Sequence, residues 1–164
     1  MVLYLLLAAA IVLVDQLVKW WAVQALGPGG SIPVIPGVFH LTYAENRGAA
    51  FSILEGRRLF FVAATVVMVV LLAILVKQGL IRGRFGRLAA LFIVAGALGN
   101  LIDRIFRGYV VDLFDLRIIH FAIFNVADVF ITLGGLMLVI YFAFLEGRLP
   151  GGKTDGEQTT DRRA

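Results

Sequence analysis

Four apolar stretches, residues 2–26, 58–76, 88–106 and 126–145, alternate along the chain with segments rich in glycine, proline and charge. A helix needs about 20 apolar residues to cross a bilayer core, and each stretch meets or approaches that length. The pattern predicts four membrane-spanning helices. The first stretch has no basic lead-in and carries Asp15, Gln16 and Lys19 where the core of a secretory signal stays apolar, so it reads as a retained helix. Residues 27–57 form an outer segment that opens on turn formers such as Pro28, Gly29 and Gly30 and continues into Val38–Tyr43, which reads as a short strand. Residues 44–56 read as a loop or short helix, and 107–125 as a second outer loop. Beyond Gly147 there is no apolar periodicity, and 147–164 reads as a disordered cytoplasmic tail. The expected fold is an all-α integral membrane protein. It has four transmembrane helices, a small extracytoplasmic β-sheet and a short outer helix in one domain, residues 1–146.

Composition agrees with a membrane protein: 60% of residues are hydrophobic and 16% charged, too apolar for a soluble domain of 164 residues. With no cysteine there is no disulfide, thiolate nucleophile, zinc–thiolate site or lipid-modified cysteine. The net charge of +4 does not point to nucleic acid, because the basic residues cluster at the ends of the spans. Lys77, Arg82, Arg84 and Arg87 join the second and third spans without an acid among them, and Arg148, Lys153, Arg162 and Arg163 follow the fourth. Positive charge inside predicts both termini in the cytoplasm, although Arg47, Arg57, Arg58, Arg107 and Arg117 make the bias modest.

The candidate chemistry lies at the outer ends of the spans. Asp103 ends the third span, Asp128 begins the fourth, and Asp112 lies in the loop between them, so three carboxylates share one interfacial layer where such groups are costly. Asn100, Asp103 and Arg104 fall on one helical face, as do Asn125 and Asp128. Two close aspartates can hold one proton between them, the ionised partner activating water and the protonated one assisting a carbonyl. Spacing alone is equally served by a solvated Asp112 and a helix-capping Asp128. Asp15 and Lys19 are one turn apart and read as a structural polar pair. His40 and His120 are isolated, and neither an HExxH nor a GxSxG pattern occurs, so no metal or other cofactor is expected. From another class, a small four-span proton-coupled transporter stands as the alternative. Against it, only Asp15 is near the midplane and the chain shows no internal repeat.

The runs DQLVK at 15–19, ENRGAAFS at 45–52, GNLIDR at 99–104, VVDLFD at 110–115 and FNVAD at 124–128 resemble, in order, the motif series of lipoprotein signal peptidase, signal peptidase II. The resemblance implies a four-helix aspartyl endopeptidase of the bacterial inner membrane. Such an enzyme removes signal peptides from prolipoproteins by cutting before a diacylglyceryl-modified cysteine near the outer face. It implies Asp112 and Asp128 as the catalytic dyad, Asn100, Arg104 and Asn125 as lining the site, and Asp103 as support. Asn46 would meet substrate, Gly48 would let the outer loop turn tightly, and Asp15 and Lys19 would steady the site. The implied partners are lipid-modified prolipoproteins and membrane lipid, with the protein a monomer. One departure is the link from Asp115 to Phe124, DLRIIHFAIF, which is shorter than the family pattern and lacks its tryptophan.

Overall fold

The computed structural model describes residues 2–48, 56–119 and 121–145. Helix α1 runs Val2–Ala25, followed by strands β1 (Ser31–Ile35) and β2 (Phe39–Asn46). Helices α2 (Arg58–Lys77) and α3 (Gly83–Phe106) come next. Strand β3 (Val110–Leu116) then leads through a short 3-10 turn to α4 (Val126–Ile140), which is extended by a π-helical turn to Leu145. Among the described residues, four helices are long and apolar enough to cross a membrane. The 24 residues of α1 rise about 36 Å, enough for a hydrocarbon core of about 30 Å. Large side chains such as Leu6, Leu13, Val67 and Val139 stay exposed on them, as a lipid-facing surface requires.

Helix α3 is the central packing element and touches each of the other three helices. Its inward face is built from small residues, with Ala89, Ala90, Ala95, Gly96, Ala97 and Gly99 all buried. A Cβ at Gly96 would lie 2.4 Å from the carbonyl oxygen of Ala127 in α4, and one at Gly134 would lie 2.7 Å from that of Ala89. The two backbones therefore meet directly, the arrangement that holds helices together where no hydrophobic effect drives them. Helix α3 begins at Gly83, ahead of the apolar stretch at 88, because its first turns are glycine and exposed arginine and carry little hydropathy.

At one end of the bundle the strands form an antiparallel sheet in the order β1-β2-β3. Gly37, at φ 75°, makes the β1–β2 turn. The segment 107–125, expected as loop, contains β3, and Asp112 stands opposite Ala44 within the sheet rather than in a solvated loop. The acids at 112 and 115 obscure the strand in the sequence, yet five of its seven residues are buried. Beneath it, Ala22, Tyr43, Val111 and Leu113 form a small core that fixes the sheet on α1. The expected short outer helix, in the part of 44–56 beyond Gly48, and the tail from 147 lie outside the described residues, as do Ser52 and His120.

Candidate active site

The start of α4 organises the site. Asn125 is its N-cap: Oδ1 accepts from the backbone N–H of Asp128 at 3.0 Å, and an Asp128 carboxylate oxygen accepts from the backbone N–H of Asn125 at 3.2 Å. This reciprocal cap fixes both side chains through local hydrogen bonds. With its oxygen committed to the cap, the Asn125 amide nitrogen faces away from it. It donates to Asp112 Oδ1 at 2.6 Å and to Asn100 Oδ1 at 3.1 Å.

The same logic fixes Asn100. Its Oδ1 accepts from Lys19 Nζ at 2.8 Å as well as from Asn125, so its amide nitrogen is left to donate to Asp128 Oδ1 at 2.7 Å. Asn46 from β2 accepts from the backbone N–H of Gly48 and donates to Asp112 Oδ2 at 3.0 Å. Three asparagines thus direct amide donors at the two aspartates. A network satisfied at every member holds its geometry far better than separate pairs.

A second layer lies deeper. Lys19, fully buried, pairs with Asp15 at 2.9 Å and with Asp103 at 3.1 Å, so the expected pair is part of a three-residue ionic junction between α1 and α3. Asp15 also accepts from the backbone N–H of Ala127 at 2.8 Å, and Asp103 from that of Val111 at 3.2 Å. These bonds tie α1 and α3 to the two segments that carry Asp112 and Asp128. Gly99 permits the approach, since a Cβ there would stand 2.6 Å from an Asp15 carboxylate oxygen. Gln16, read in the sequence only as a polar interruption of the first span, donates to the Gly99 carbonyl at 3.1 Å. Its place one residue from Asp15 within an apolar helix was the available signal.

A cavity of about 740 Å³ opens beside this network between α2, α3 and α4. Asp128, Asn100, Asn46 and Arg104 make its polar end, while Ala64, Met68, Ile131 and Leu133 belong to its apolar remainder. Arg104 donates to the Gly48 carbonyl at 3.2 Å and lies 5.0 Å over the Phe61 ring. Helix α2 contributes Phe61 and Thr65 to the wall, and Thr65 is its one polar residue between the terminal Arg58 and Lys77. Asp112 does not line the cavity and is 2% exposed, lying behind Asn46 and Asn125.

Burial, and then the nearby charge of Asp128, raise the Asp112 carboxyl to a pKa of about 7 against the donors Asn46 and Asn125 and the attraction of Lys19. Asp115, three residues on, goes the other way. Its slight burial is outweighed by hydrogen bonds from Arg117 and Thr42, and its pKa is lowered.

Helices long and apolar enough to cross a membrane, a three-stranded sheet at one end and an apolar cavity with a hydrogen-bonded polar end describe a class of membrane protein that solved structures share. A bacterial membrane enzyme determined by the in meso method at 2.3 Å resolution superposes with a TM-score of 0.81 and 33% identity, covering 97% of this chain and 96% of that one. The family described as Signal peptidase (SPase) II matches residues 7–144. The lipoprotein signal peptidase of Clostridioides difficile (strain 630) is 45% identical over 150 residues, 89% of this chain and 98% of that one. That of Brevibacillus brevis is 48% identical over 147 residues, 88% of this chain and 97% of that one. The chain belongs to the signal peptidase II family, and it is a multi-pass membrane protease.

Proposed function

We propose that this protein removes signal peptides from bacterial prolipoproteins by aspartic catalysis, cutting before a diacylglyceryl-modified cysteine, with Asp112 and Asp128 as the reacting pair. The observation that carries the reading is the joint hold of Asn100 and Asn125 on both carboxylates, with Asp112 raised to a pKa of about 7. Asp112 is then the partner that holds the proton, and Asp128, which reaches the cavity, is the one placed to act on water. Asp128 takes a proton from water, and the water oxygen attacks the peptide carbonyl. Asp112 donates its proton to the carbonyl oxygen; as the C–N bond breaks, Asp128 passes the proton it took from water to the leaving nitrogen and Asp112 recovers one from the gem-diol hydroxyl, which closes to the carboxylic acid product. The apolar walls suit the acyl chains of the substrate's lipid, and Arg104 and Asn100 suit its main chain. Since Asn46 covers Asp112, substrate binding has to displace Asn46 for both carboxyls to reach one bond.

In the same reading the chain is a monomer in the bacterial inner membrane. Both termini face the cytoplasm and the site lies near the outer face, as the acid-free basic run at 77–87 supports. A single cysteine introduced at Gln78 is then labelled only from the cytoplasmic side, and labelling from outside reverses the orientation. Function is tested by incubating purified protein with a diacylglyceryl-modified prolipoprotein and with the same chain unmodified. Cleavage of the modified form alone, leaving the lipidated cysteine as the new N-terminus, is expected. Cleavage at another bond or indifference to the lipid overturns the substrate assignment.

A further inference from the structure

A second concavity lies at the opposite end of the bundle from the carboxylates. Helices α1 and α2 each pack on α3 but scarcely touch each other, and the gap between them is a groove of about 670 Å³. Tyr4, Leu5 and Ala8 of α1, Leu72 and Ala73 of α2, and Leu91 of α3 belong to its walls. That volume falls within the roughly 300–1,000 Å³ of ligand sites. Among the described residues, its only charged lining residues are Lys77, which ends α2, and Arg87, in the second turn of α3.

Two features select the occupant. The groove faces outward among exposed apolar side chains of the spans, so hydrocarbon rather than water fills its length. At its end both cations are exposed and, among the described residues, neither takes part in an ion pair. The segment 77–87 holds Lys77, Arg82, Arg84 and Arg87 and no acid to neutralise them. Long basic side chains at a membrane edge lay their stems on apolar surface and present their charge at headgroup level. Acyl-chain walls with two cations lining the same groove match a lipid with an anionic headgroup and leave a zwitterionic one without its best partner.

We propose that the groove between α1, α2 and α3 binds one anionic phospholipid of the leaflet opposite the carboxylate site, its acyl chain along Leu5, Ala8 and Leu72 and its phosphate between Lys77 and Arg87. The lipid fills the gap across which α1 and α2 scarcely touch each other. It therefore fastens α1, and with it Asp15 and Lys19, to the rest of the bundle. The site is separate from the proposed dyad and does not depend on its chemistry.

The test is native mass spectrometry of the full chain in detergent, titrated with phosphatidylglycerol or phosphatidylcholine of identical acyl chains, with glycerol phosphate as the headgroup control. One phosphatidylglycerol is expected to bind at least tenfold more tightly than phosphatidylcholine, and glycerol phosphate not measurably. Each basic residue beside an anionic headgroup is worth about fivefold in affinity. The Lys77→Gln/Arg87→Gln variant should lose about thirtyfold for phosphatidylglycerol and little for phosphatidylcholine. Ala73→Phe, which fills the apolar part, should weaken both lipids. Arg82→Gln/Arg84→Gln, which removes two charges outside the groove, should keep the preference. Equal binding of the two lipids, an unchanged preference in Lys77→Gln/Arg87→Gln, or the same loss in Arg82→Gln/Arg84→Gln overturns the proposal.

Discussion

Replacing Asn125 with alanine separates what this side chain does for the helix from what it does for the carboxylates. Asn125 is fully buried and makes three side-chain hydrogen bonds. Loss of the cap to Asp128 N–H costs about 1 kcal/mol. Loss of the 2.6 Å donor to Asp112 costs about 2 kcal/mol, as for a hydrogen bond to a charged group, and the bond to Asn100 about 1 kcal/mol more. The expected destabilisation is about 4 kcal/mol at pH 8, read by reversible SDS titration in mixed micelles. Asn125→Asp is the informative companion. It keeps the cap, since a carboxylate oxygen can still accept from Asp128 N–H. It also turns the donor to Asp112 into an acceptor, setting two carboxylates face to face. Its stability should lie below that of Asn125→Ala at pH 8 and recover as pH falls to 5, when one proton serves both carboxyls. A loss below about 1 kcal/mol in Asn125→Ala, or wild-type stability of Asn125→Asp at pH 8, would refute the clamp.

Lys19→Met should cost about 3–5 kcal/mol, because it leaves Asp15 and Asp103 buried without their shared cation; a loss under 1 kcal/mol in the same titration would show the junction to be incidental. Asp112 contributes a pH dependence of definite sign. Its carboxyl titrates at about 7 in the folded chain against 3.8 unfolded, so the folded state holds the extra proton in between. The contribution is fully present below pH 3.8 and is lost as pH rises through about 7. Asp112→Asn should therefore gain stability relative to wild type from pH 4 to pH 8, and parallel pH profiles for the two would contradict that.

The helices were legible because each is a run of apolar residues with few interruptions, and hydropathy needs no long-range information. Strand β3 was not, since Asp112 and Asp115 break the apolar pattern and their burial depends on partners in β2 and α4 that lie far along the chain. The relation of Asn125 to Asp128 could be read from a spacing of three. Its second link to Asn100 crosses 25 residues, and that of Lys19 to Asn100 crosses 81, distances over which spacing carries no signal. For the same reason Asp15 and Lys19 read as a local pair, and only the packing of α1 on α3 reveals Asp103 as the third member. The role of α2 in the cavity rested on one threonine, too little to mark a face.

Whether Asp112 and Asp128 act together is decided by cleavage of a diacylglyceryl-modified prolipoprotein by wild type, Asp112→Asn and Asp128→Asn at equal amounts of folded protein. Each substitution removes the exchangeable carboxyl while nearly keeping its shape, so both variants should stay folded and retain substrate, Asp112→Asn with the pH-dependent gain in stability expected above. Turnover in each should fall by about a thousandfold or more, as for loss of a general acid or base. Turnover within about tenfold of wild type in either folded variant would remove that residue from the chemistry and with it the aspartic mechanism.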